Sequence, residues 1–137
     1  MRLVVGAAAM GVLLLLRSRP FRVEVAGVSM HPLLDPGDYL VATKAGLIRR
    51  GALVVVERPG GQPGEPTFEV VKRVAGLPGD RIDGRFLRSA EYWVVGDSVD
   101  RSTDSRTFGP VTRQDIEGVV RLRYWPLSRL RVFTSKR

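Results

Sequence analysis

Cysteine is absent from this 137-residue chain, and histidine occurs once, at His31. The first absence removes disulfides and thiol chemistry together. With a single histidine it also leaves no cysteine–histidine cluster of the kind that holds zinc. No metal and no cofactor is expected. The second scarcity nearly empties the usual supply of general bases, since a Ser-His-Asp arrangement has one imidazole to draw on. Long apolar runs are also lacking. The one sizeable run, Leu3 to Leu16, has 14 residues between Arg2 and Arg17. As a helix it is about 21 Å long, short of the roughly 30 Å hydrocarbon core. Flanking arginines that snorkel and a thinned bilayer allow a short span. No small-x-small cleavage site follows it; Arg17-Ser18-Arg19-Pro20 comes instead. Residues 1–19 are therefore expected to be an uncleaved membrane anchor and residues 20–137 a single domain.

Negative charge is scarce toward the ends. The chain carries 22 Lys+Arg against 14 Asp+Glu, a formal charge of +8. From Arg121 to Arg137 the basic residues Arg121, Arg123, Arg129, Arg131, Lys136 and Arg137 meet no acid. Beside an apolar N-terminus flanked by Arg17, Arg19 and Arg22, the expected partner for this charge is anionic lipid; the alternative is solubility alone. Nucleic acid is not expected. The same flank charges favour keeping the following domain in the cytoplasm.

Beyond Pro20 the pattern is of short strands punctuated by Gly and Pro, which predicts an all-β, barrel-like domain. Expected strands are Phe21 to Ala26, Tyr39 to Thr43, Ala52 to Glu57, Thr67 to Ala75, Tyr92 to Val95 and, last, Val119 to Trp125, stopped by Pro126. Turns are expected at Asp35-Pro36-Gly37-Asp38 and Leu77-Pro78-Gly79-Asp80, a flexible loop at 60–66, and one helical turn at Gln114 to Glu117.

Within the Thr67–Ala75 strand, alternation places Phe68, Val70, Lys72 and Val74 on one face and Glu69, Val71, Arg73 and Ala75 on the other. Lys72 is then the only charge on an apolar stripe. Desolvation disfavours an ammonium, and a lysine made neutral this way can take a proton from a serine. The residues alone leave two readings open: a buried base, or a lysine whose stem lies on the core while its head reaches water.

The run Gly27-Val28-Ser29-Met30-His31-Pro32-Leu33-Leu34, followed by Pro36-Gly37-Asp38, resembles the nucleophile box of bacterial type I signal peptidases. Val71-Lys72-Arg73-Val74-Ala75-Gly76-Leu77-Pro78-Gly79-Asp80 resembles their lysine box. Gly96-Asp97-Ser98-Val99-Asp100-Arg101-Ser102-Thr103-Asp104-Ser105-Arg106 resembles their last box, and the three occur in the family's order. The resemblance implies a compact signal-peptidase/LexA-type core. It assigns Ser29 as nucleophile, Lys72 as general base and Ser102 as the residue that orients the amine, with Asp104 and Arg106 as a supporting ion pair and Asp97 bracing the same loop. The Ser29 backbone N–H becomes an oxyanion donor, and Gly27 and Met30 border the substrate cleft. Apolar side chains near Ser29, including Met30 and Leu33, would help seat the site on the bilayer. Some members carry a serine two residues before the nucleophile; here Gly27 stands there. Ser98 stands where Asn is usual, Ala52 where Asp is usual, and the short stretch between Asp80 and Tyr92 leaves no room for the second β domain of larger members. His31 lies too close to Ser29 in sequence to aim an imidazole at it and is expected at the solvent edge.

The activity so implied is a membrane-anchored Ser-Lys endopeptidase that removes signal peptides, held in extended form, from exported preproteins, with its domain on the extracytoplasmic side. Three alternatives remain. The Ser-x-Asp-Ser-Arg-Thr-Phe-Gly-Pro run also resembles proteases that mature nickel superoxide dismutase by removing one client's leader. A LexA-type self-cleaving repressor shares the dyad but needs a DNA-binding domain. Outside enzymes, a basic membrane- or nucleic-acid-binding β domain with inert boxes would have the same composition.

Overall fold

The computed structural model describes residues 8–10, 18–44, 46–58 and 63–134. The expected anchor, Leu3 to Leu16, lies outside the described residues except for the exposed helical stretch Ala8–Met10. Among the described residues no helix is long and apolar enough to cross a membrane.

The domain is all-β, as its composition of short strands predicts. Among the described residues ten strands form: β1 Pro20–Glu24, β2 Tyr39–Thr43, β3 Leu53–Arg58, β4 Phe68–Gly76, β5 Arg81–Ile82, β6 Arg85–Phe86, β7 Glu91–Val95, β8 Val111–Thr112, β9 Ile116–Trp125 and β10 Arg131–Val132. The main sheet runs β1-β2-β9-β3-β4-β7-β8, with β10 added to β9, and its strand pairs are antiparallel. The turns behave as their residues dictate. Gly37 takes φ +90 between β1 and β2, and the Asp38 N–H closes onto the Asp35 carbonyl. Asp80 closes the next turn by accepting from the Leu77 N–H at 2.8 Å.

The sheet buries both faces of its centre. One cluster gathers Val23, Val25, Met30, Leu34, Leu40, Ala42, Leu53, Val55, Val71 and Val120. The other lies across the sheet, with Val54, Val56, Val74, Val94, Val111, Ile116 and Val119. β3 thus has apolar neighbours on both sides, Leu53 and Val55 in one cluster and Val54 and Val56 in the other, which is why it reads as a continuous apolar run rather than a clean alternation. Curling brings the β1 segment opposite the first half of β4, where Val23 and Val25 meet Val71. That half, Phe68 to Lys72, pairs with β3 along one edge, while its other edge is open until Arg73 meets Val95 of β7.

Three expectations are corrected. The turn expected at Gln114 to Glu117 is a 3-10 turn at Arg113–Asp115, where Thr112 and Asp115 form a capping box, and Ile116 and Glu117 already belong to β9. β9 is not the last strand, since β10 folds back beside Arg123 and Leu122. The C-terminal arginines are not all spent on lipid or solvent: Arg123 is buried and Arg129 reaches into the same network. Several small elements have no counterpart in the sequence reading: β8, the 3-10 turns Val99–Arg101 and Leu127–Arg129, and the two that follow. The β5–β6 hairpin turns at Asp83-Gly84, both with positive φ, the signature of an Asp-Gly hairpin. The one-turn helix Ser105–Phe108 opens on Asp104 as its N-cap and ends at Gly109, φ +81.

Candidate active site

Lys72 sits on β4 opposite Val54 and is 3% exposed. Burial pushes its amine below the ordinary lysine value; the Asp104 charge pulls it back up, and Arg106 adds a smaller downward push. The amine donates to Ser102 Oγ at 3.1 Å. Ser102 Oγ in turn donates to Asp104 Oδ2 at 2.7 Å. Because a hydroxyl has one proton, and that proton goes to Asp104, Ser102 can only accept from Lys72. A neutral amine held this way spends a hydrogen on Ser102 and keeps its lone pair for another group.

Asp104 is fully buried and anchors the cluster. It accepts from the Gly96 N–H at 2.8 Å, from the Arg106 N–H at 3.1 Å, and from the Arg106 guanidinium through Nε at 2.9 Å and Nη2 at 2.5 Å. Burial opposes its ionisation, but the bonds from Arg106, Gly96 and Ser102 outweigh that and hold the carboxyl far below the usual range. The short spacing from Ser102 to Arg106 folds this way because Asp104 caps the helix that carries Arg106.

Arg73, on the opposite face of β4 from Lys72, forks onto Asp97 with two bonds of 2.8 Å and donates to the Gly51 carbonyl at 3.0 Å. The Asp97 bond raises the Arg73 pKa against the effect of burial. This brace ties β4 to the loop that delivers Ser102. The altered Ala52 position leaves the brace intact, because Arg73 uses the Gly51 backbone.

Ser29 is half-buried in the loop between β1 and β2. Its carbonyl accepts from the Ser98 N–H at 2.9 Å. A Cβ on Gly96 would overlap the Ser102 hydroxyl and come within 2.6 Å of the Ser29 carbonyl, so the two serines pack against each other across a glycine. Among the described residues, Ser29 Oγ has no hydrogen bond to Lys72 or to any other group, and the Ser29 N–H has no acceptor. The structure therefore joins Lys72, Ser102, Asp104 and Arg106 in one bonded chain and sets Ser29 beside it through its backbone. Catalytic contacts of this kind tighten when substrate binds.

A cleft of about 250 Å³ opens between the β1 segment and the free edge of β4; Gly27, Ser29, Met30, Phe68 and Val71 are in its wall. A larger cavity of about 740 Å³, lined by Arg73, Asp97, Arg129 and Arg131 among others, contains neither Ser29 nor Lys72. Ser29 in its wall, rather than volume, picks out the first, and Lys72 lines neither. Met30 borders the cleft but is only 2% exposed and belongs to the core, and Leu33 packs against that core. Neither is free to seat the site on a bilayer, as the sequence had suggested. His31 is exposed and pairs through Nδ1 with Asp35 at 2.5 Å, which places it at the solvent edge.

The family model for signal peptidase, peptidase S26, matches residues 1–87 and 83–125. The chain belongs to this family. Mitochondrial inner membrane protease subunit 1 of Homo sapiens is 33% identical over 120 residues, covering 77% of this chain and 70% of the relative. The mitochondrial ATP-independent inner membrane protease subunit 1a of Arabidopsis thaliana is 36% identical over 120 residues, 75% and 69%. Subunit 2 of the mitochondrial inner membrane protease of Saccharomyces cerevisiae is 32% identical over 125 residues, 77% and 68%. The S26 match spans the three runs that carry the resemblance, residues 27–38, 71–80 and 96–106. Sequence reasoning did not find the roles of Asp38, Arg123 and Arg129 around the Ser29 loop; the one available signal was an arginine inside an apolar strand, which demands a buried partner.

Proposed function

We propose that this chain is a membrane-anchored serine endopeptidase with a Ser-Lys dyad that removes N-terminal signal segments from exported preproteins. Lys72 takes the Ser29 proton as Ser29 attacks the peptide carbonyl; the ammonium gives that proton to the leaving amine as the C–N bond breaks; the neutral amine then takes a proton from water, which attacks the acyl-enzyme, and returns it to Ser29 as the new carboxyl terminus leaves. Ser102 and Asp104 keep the amine aimed, and the free Ser29 N–H meets the oxyanion. The substrate lies extended in the gap between the β1 segment and the open edge of β4, where main-chain bonds can complete the sheet. The membrane side of the reading draws on the apolar run 3–16 and on relatives named as inner membrane proteases.

The observation that carries this reading is the Lys72 amine, buried, lowered in pKa and bonded to Ser102 beside Ser29. The test is cleavage of a preprotein with an Ala-x-Ala site by the chain in detergent, beside Ser29→Ala and Lys72→Ala. Cleavage lost in both variants and kept in His31→Ala supports the dyad. Loss in His31→Ala with activity kept in Lys72→Ala sinks it. A folded chain that cuts no such preprotein points instead to a single-client maturation protease.

A further inference from the structure

Arg123 and Arg129 form a clamp on the Ser29 loop. Arg123, at the end of β9, is 5% exposed. Its Nη1 donates to the Leu33 carbonyl at 2.6 Å and to Asp38 Oδ2 at 3.3 Å, and its Nε donates to the Arg129 carbonyl at 2.7 Å. Arg129 Nη1 lies 3.1 Å from Asp38 Oδ1 and 3.1 Å from Asp35 Oδ2, and its Nη2 reaches the Leu33 carbonyl at 3.4 Å. Asp38 is 2% exposed and also accepts from the Asp35 N–H, so the far end of the loop is held from several directions.

The loop between these anchors is a single tight coil. His31 N–H donates to the Val28 carbonyl and Leu34 N–H to the Met30 carbonyl. Its near end is pinned by Ser98 on the Ser29 carbonyl. Movement at Leu33 is therefore passed through this coil to Ser29. The two guanidinium groups face two carboxylates, so the charge is balanced, and the planar fork of arginine suits several acceptors at once. Arg129 also lies beyond residue 125, where the family match ends.

We infer that Arg129, seated by Arg123, is a positioning residue that holds Ser29 at the correct place for attack; the inference rests on the reading of Ser29 as nucleophile. Arg129 touches no substrate. Its side chain is partly exposed, so its replacement spares the core.

The test compares the full chain in detergent with Arg129→Gln, Arg129→Lys and Arg131→Gln, the last an exposed neighbour that contacts Phe133 and has no bond to the loop. Each is measured for kcat and KM on the preprotein, for thermal midpoint, and for amide hydrogen exchange at His31 and Leu34. Arg129→Gln should lower kcat roughly 10- to 100-fold with KM within about twofold, because a small misplacement of a reacting group is costly. Exchange at His31 and Leu34 should rise while β3 and β9 stay protected. Arg129→Lys should restore part of kcat, and Arg131→Gln should behave as the unmodified chain. A kcat within twofold for Arg129→Gln overturns the inference, as does a loss that merely follows the unfolded fraction with exchange rising throughout. If the unmodified chain cuts nothing, the dyad reading fails separately, and unchanged exchange at His31 and Leu34 then overturns the clamp.

Discussion

The Ser98 N–H donates to the Ser29 carbonyl at 2.9 Å, tying the serine loop to the loop that carries Ser102. The bond uses only the Ser98 backbone, so a serine where the resemblance implies asparagine leaves it unchanged. Gly96 lies between the two loops, with no room for a Cβ. Gly96→Ala should push Ser102 and Ser29 apart. The expected result is a loss in kcat on the order of 100-fold, with a lower thermal midpoint. An active, stable Gly96→Ala protein would mean that the loops are not packed as described.

Gly27 presents the opposite case. A Cβ there meets nothing within 4 Å, and the residue has no left-handed backbone to forbid a side chain. Gly27→Ser should be accepted by the fold and supply a hydroxyl donor beside the Ser29 N–H. An increase in kcat of roughly tenfold is expected, less than the cost of removing a fixed donor from a mature oxyanion hole. A decrease in kcat would show that the cleft needs the open space instead.

The charges around Lys72 act on it with opposite signs, which gives a paired pH prediction. On the proposed dyad, activity requires the neutral amine and rises with pH through the lowered Lys72 pKa. Arg106 disfavours the ammonium, so Arg106→Gln should move that rising limb to higher pH. Asp104 favours the ammonium, so Asp104→Asn should move it to lower pH, with a reduced maximum because Ser102 loses its ionised acceptor for a weaker neutral one. Profiles of kcat/KM for the two variants read this directly; shifts in the same direction would contradict the arrangement.

Glu117 lies at a bulge in β9, and its pKa is raised, first by a hydrogen bond with Glu69, then by burial and by the charges of Glu69 and Glu57. The folded carboxyl holds its proton more tightly than the unfolded one. Its contribution to stability is therefore full below the ordinary glutamate range and is lost as pH rises through the raised value. Glu117→Gln keeps a donor for Glu69 and removes the titration. Its thermal midpoint should exceed that of the unmodified protein by about 2–4 °C at pH 7, and the gap should close near pH 4, as scanning calorimetry at the two pH values can test.

Much of the site could be read from the chain because its information is local. Lys72 announces itself as a charge on an apolar stripe, and Tyr39–Thr43 follows a turn whose Pro36 and Gly37 leave few options. The rest depends on distance. Arg123 finds Asp38 across 85 positions of sequence, and nothing near either residue signals the other. The C-terminal arginines therefore read as a basic stretch for anionic lipid, or for solubility alone. Asp83-Gly84 and the Asp104-to-Gly109 helix did carry local signals; they were overlooked because each element is only two to four residues long.

β9 stands between β2 and β3, which do not pair with each other. Ser29, Lys72, Ser102, Asp104 and Arg106 all precede Ile116, yet among the described residues the part of the sheet next to Ser29 and the part that holds Lys72 share a hydrogen-bonded ladder only through β9. Without that strand the two parts meet only through core side chains and the Ser98–Ser29 bond. On the proposed reading, cutting therefore waits on the pairing of a strand that lies after all five of those residues.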